Sequence, residues 1–112
     1  MRIIQDWQYK YIEKCLYSYP TLKASHVEGE QQMAKAIDQA LEFFKGTYHE
    51  VMIRSFYFDC INKPRFRNQG EFHKWVCTEL LHTEYQNGFV IRREIIYRIA
   101  MNCYALKVFS VE

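Results

Sequence analysis

The sequence predicts an all-α fold, a small bundle of about five helices, and three observations predict it. Apolar residues recur at three- and four-residue steps along most of the chain. The one apolar run that could be a strand, Val51-Met52-Ile53, has no second run to pair with. Turn formers at Pro20, Gly46, Asn62 to Gly70 and Asn87-Gly88 cut the chain into helix-sized lengths. At 112 residues and 49% apolar content the chain fits one domain, 1–112, since a domain takes roughly 100–200 residues.

The first helix carries Ile4, Trp7, Tyr11, Ile12, Cys15, Leu16 and Tyr19 on one stripe. Pro20 ends it, because the residue before a proline is pushed out of the helical region, and a loop over Thr21 to His26 follows. The second helix starts near Glu28, buries Met33, Ile37, Ala40, Leu41 and Phe44, and stops at Gly46. Thr47 caps the third, with Glu50 as its capping-box partner, ahead of Val51, Met52, Ile53, Phe56, Tyr57 and Phe58. Arg54 and Ser55 inside that run favour helix over strand. A loop from Asp59 to Gly70 is long for a small domain. Phe72, Trp75, Val76 and Leu80 give a short fourth helix, and Asn87-Gly88 a turn. The last helix runs from about Ile91, with Ile95, Ile96, Ile99, Cys103, Leu106 and Phe109 inward. The halves 1–45 and 46–112 thus read as a helical pair and a second unit.

Composition removes several functional classes. Cys15, Cys60, Cys77 and Cys103 form no CxxC pair and the N-terminus lacks a signal-peptide core, which predicts a reducing, cytoplasmic setting. No stretch approaches the roughly 18 apolar residues of a membrane span, so no membrane partner is expected. His73 and Cys77 stand four apart as helix-borne metal ligands do, but no paired spacing supplies the rest, and no metal or other cofactor is expected. A Cys–His nucleophile lacks an identifiable oxyanion turn or orienting group, so no catalytic residue is assigned.

The formal charge is only +2, yet it is unevenly spread. Up to Gly46 six Lys/Arg face six Asp/Glu; beyond it nine face seven. Lys63, Arg65 and Arg67 surround Phe66 in the long loop, and Arg92, Arg93 and Arg98 lie with Tyr97 on the last helix. Two such clusters suit duplex DNA, with loop cations on phosphates and the helix in a groove. Composition alone favours a solvated loop and a helix face in which Glu94 offsets its neighbours.

Tyr11-Ile12-Glu13 and Leu16-Tyr17-Ser18-Tyr19, a second helix, then Phe56-Tyr57-Phe58-Asp59 and Ile95-Ile96-Tyr97-Arg98-Ile99 follow one another in a familiar order. This order resembles the small Gram-positive phage regulators of the ArpU and RinA type, which control late transcription and resemble region 4 of sigma factors. The resemblance implies that the last two helices form a helix-turn-helix-like pair. It also implies a phage or prophage transcription regulator that binds DNA, with host RNA polymerase as a further partner. Here His82 to Val90 stretch the turn of the pair, and Val90 and Ile91 stand where the family has a capping Ser or Thr.

The alternative is a non-catalytic protein-interaction module, an adaptor or inhibitor, that uses the aromatic first helix. Nine Tyr and eight Phe make 17% aromatic content when joined by Trp7 and Trp75. Rings left over after core packing suit an interface, so Trp7, Tyr9 and Tyr17 are candidate partner or homodimer residues.

Overall fold

The computed structural model describes residues 4–59 and 66–109, and among these every regular element is a helix. Six helices follow one another: α1 (Asp6–Tyr17), α2 (Tyr19–Ala24), α3 (Glu28–Phe43), α4 (Tyr48–Met52), α5 (Gln69–Trp75) and α6 (Tyr85–Ala105). Two of them continue past their α-helical part as π-helical turns, α4 into Ile53–Phe58 and α5 into Val76–Leu80. None of the described helices is long and apolar enough to cross a membrane.

Pro20 starts a helix instead of a loop. It lies in the first turn of α2, where its missing N–H removes a donor that would have had no partner. Buried Leu22 anchors that short helix, and Asp38 of α3 accepts hydrogen bonds from both the Tyr19 hydroxyl and the Lys23 ammonium. The segment predicted as a loop is therefore mostly helical.

The chain leaves α3 through Gly46, whose φ of 81° is left-handed backbone that a side chain disfavours. Thr47 caps α4 as predicted, its Oγ1 accepting from His49 N at 3.2 Å. The expected return bond differs: Glu50 Oε1 accepts from Gly46 N at 2.9 Å, one residue before the cap. Asn68 caps α5, accepting from Glu71 N at 2.9 Å, so that helix begins before Gly70.

The largest correction concerns Asn87-Gly88. Both residues lie inside α6, which starts at Tyr85 and not near Ile91. Gly88 serves close approach here and not chain reversal. A Cβ at that position would stand closer than 3.0 Å to Cys77 Sγ and to His73 Nε2. Absence of a side chain lets α6 cross α5 in contact. The connection between the two long helical segments shrinks to residues 81–84, with His82 in the left-handed region at φ 53°. At its far end α6 closes with Lys107 at φ 61° and Val108 N donating to Cys103 O at 2.8 Å, which satisfies a last-turn carbonyl.

A single apolar cluster draws on all six helices. Small residues on α3, Ala34, Ala36 and Ala40, let α6 lie close with Ile95, Ile99 and Cys103. Buried Asn102 is satisfied within that contact, donating to Ala36 O at 3.1 Å. On α1, Ile12, Cys15 and Leu16 face this core, but Trp7 is 58% exposed, off the predicted stripe.

Candidate functional site

α6 touches α1, α3, α4 and α5, so its inner and outer faces have different occupations. The inner face holds a polar cluster within the apolar core. Arg92 Nη2 donates to Glu13 Oε2 of α1 at 2.8 Å, and Arg92 Nε donates to the Tyr57 hydroxyl at 3.0 Å. The Tyr57 hydroxyl donates in turn to the same Glu13 oxygen at 2.7 Å. Arg92 Nη1 lies 3.0 Å from His73 Nδ1 on α5, and the guanidinium lies over the Phe56 ring, 4.5 Å from its centroid.

These contacts correct the expectation that Arg92 enters a groove. Its side chain is 12% exposed, and α1, α5 and the π-helical turn after α4 share its donors and its cationic face. Burial alone lowers the pKa of Arg92, but Tyr57 and Glu13 outweigh burial and hold it raised. For Tyr57, burial first and then the Glu13 carboxylate push the phenol far above its ordinary value. Both groups are therefore fixed as a cation and a neutral phenol at any physiological pH.

His73 belongs to the same cluster. An arginine only donates, so Nδ1 must accept, and Nε2 carries the ring proton and donates to Tyr85 O at 3.0 Å. Cys77 Sγ lies 3.5 Å from that Nε2, and burial raises the thiol pKa, so the sulfur remains a neutral thiol. Among the described residues no three His, Cys, Asp or Glu side chains converge as a ligand set. Cys60 lies outside the described residues.

The outer face of α6 carries Arg93, exposed, with half-buried Tyr97 one turn on. Gln86, Asn87 and Val90 precede them, all exposed. Arg98 is turned to the flank: its guanidinium stacks over Phe43 at 3.9 Å, and its Nε has no hydrogen-bond partner among the described residues. Of the four residues expected on one DNA-facing surface, Arg93 and Tyr97 are together, Arg98 borders them, and Arg92 lies behind. In the basic loop, Lys63 and Arg65 lie outside the described residues, while the Arg67 side chain is 83% exposed, 3.5 Å from Glu71.

A groove of about 870 Å³ opens where the 81–84 connection meets the start of α6. Lys74, Thr78, Thr83, Gln86 and Asn87 line it, and Lys74 sits over the Tyr85 ring at 5.3 Å. Sequence reasoning missed Gln86 and Asn87 because the Asn-Gly pair read as a turn.

On α1 the aromatic residues part company. Trp7 is exposed with its ring edge against Phe109, while Tyr9 is half-buried against the core. Tyr17 packs on Tyr57 at 5.1 Å and its hydroxyl accepts from Gln69, so it ties α1 to α4 and α5. No family model, curated protein or solved structure matches the chain.

Proposed function

We propose that the chain is a DNA-binding transcription regulator of the phage or prophage type, reading duplex DNA with the outer face of α6. The observation that carries this reading is the pairing of α5 with α6 through the short 81–84 connection. The expected stretched turn would have separated a reading helix from its support; a short one fits a helix-turn-helix-like pair. The resemblance to ArpU- and RinA-type regulators supports the same reading, with host RNA polymerase as a second partner and late-gene control as the role.

In this reading Gln86, Asn87, Arg93 and Tyr97 meet base edges. Side-chain amides suit adenine and a guanidinium suits guanine, each through paired hydrogen bonds. Arg67 and Lys74, with Lys63 and Arg65 of the loop, hold phosphates and set orientation. Arg98 touches DNA only by leaving Phe43. Arg92 supports α6 from behind.

Fluorescence anisotropy against duplex DNA over a salt series tests this. Phosphate neutralisation makes log affinity fall linearly with log salt. Arg93→Ala should relax sequence preference at a cost of about 1–3 kcal/mol, and Arg67→Ala should weaken all sequences and reduce the salt slope by about 1. Absence of binding at low salt overturns the reading.

Exposed Trp7 and Tyr11, flanking Phe109, favour a second reading, a protein-interaction module contacting a partner or a second copy through α1. In that case Trp7→Ala abolishes a complex and the arginine substitutions do nothing.

A further inference from the structure

His73 is the one member of the Arg92 cluster that titrates near neutral pH, and its surroundings accept only one protonation state. From α6, Arg92 Nη1 points a hydrogen at Nδ1 and the Tyr85 carbonyl takes the proton of Nε2. From the π turn after α4, the Phe56 ring meets the imidazole edge to face at 5.7 Å, and Tyr57 keeps its hydroxyl on Glu13 and Arg92. The cluster's carboxylate, Glu13 of α1, is already shared by Tyr57 and Arg92. On its own helix the ring has neutral Cys77 beside it, while Lys74 lies over Tyr85. Phe89 covers the ring face at 4.2 Å.

A second ring proton therefore goes to Nδ1, where it faces a guanidinium nitrogen at 3.0 Å with donor against donor and charge against charge. Neither bonding partner can adjust, since the arginine has no acceptor and the carbonyl no donor. We propose that His73 is an acid-sensitive latch on α6: neutral, it holds the helix's first turns to α5, and protonation of Nδ1 lets them go.

Burial first, and the neighbouring Arg92 charge with it, lower the His73 pKa despite the opposing bond to the Tyr85 carbonyl. A lowered folded value fixes the sign. The latch contributes fully above the unfolded imidazole value of about 6.5, and its contribution is lost as pH falls from there toward the folded value. The latch is independent of whether α6 reads DNA, and its test uses the whole chain without DNA.

Amide hydrogen exchange, corrected for intrinsic rates, is followed between pH 7 and 5. Protection of Phe89 to Arg93 should begin to fall as pH drops through about 6.5, with a slope that stays below about tenfold per pH unit, while Ala36 to Ala40 of α3 hold theirs. In His73→Gln, which keeps a donor and an acceptor but does not titrate, protection should be flat. Equal pH dependence in the two proteins overturns the latch. If the variant fails to fold, ring nitrogen shifts of His73 in the unaltered protein decide: a neutral ring with its proton on Nε2 at pH 7 supports it. A proton on Nδ1 or a charged ring at pH 7 overturns it.

Discussion

Arg92 gives its hydrogens to a carboxylate, a phenol and an imidazole that lie on three different helices. Only a planar fork with fixed N–H directions serves all three at once. Lysine is a point charge on a flexible stem and reaches one or two of them. Arg92→Lys should therefore cost close to what removing a buried partner costs, about 3 kcal/mol, although charge is conserved. Urea unfolding monitored by circular dichroism measures it, and a loss under about 1 kcal/mol would mean that the cluster is slack. Arg93, its neighbour in sequence, should tolerate the same exchange with little change in stability, because it is exposed.

For the elements, the decisive contact is the crossing of α6 over α5. Gly88→Ala places a Cβ against Cys77 Sγ and His73 Nε2, and the helix must move away or twist. Overpacking of this kind costs about 1–3 kcal/mol, against the roughly 1 kcal/mol gain in helix propensity that alanine brings elsewhere. A lower thermal midpoint for Gly88→Ala is the expected result; a higher one would mean that the crossing is loose. The same position explains why the sequence misled at this element. Asn-Gly ranks as a turn from local preference, and the reason for this glycine is a sulfur and an imidazole on another helix. Arg92 misled similarly, because a charge on a helix reads as surface. Its place was nevertheless visible in the spacing, since it falls within the Gly88, Ile95, Ile96 and Ile99 stripe, three, four or seven residues away. By contrast, the cores of α1, α3 and α6 were legible because Ile12, Ile37 and Ile99 repeat with the helical period and nothing local competes. Thr47 was legible because capping is decided within a few residues. Of the candidate DNA face, Arg93 is exposed and Tyr97 half-buried beside it, while Gln86 and Asn87 were hidden by the misplaced helix start.

Across the whole molecule, α6 is the element that the others are built around. Its inner face is divided between α3 and α1 from the first part of the chain and α4 and α5 from the second. Residues 46–112 expressed alone would leave Ile95, Ile99 and Cys103 without Met33, Ala36 and Ile37, and Arg92 without Glu13. That fragment should show weak helicity and poor amide dispersion in solution, whereas the full chain unfolds in one transition. A folded, cooperative fragment would mean that the two parts are separate units.

Glu13, Tyr57, His73, Cys77, Gly88 and Arg92 meet at one place although the chain separates them widely. A change at any one of them is harmful until a neighbour has also changed, so they should be inherited as a block. Gln86, Val90 and Arg93, exposed on the outer face of α6, are freer to drift. The outer face of α6 can change its residues while the scaffold behind it stays frozen, and distant kin should be recognisable by the six clustered positions long after the outer face has lost all likeness.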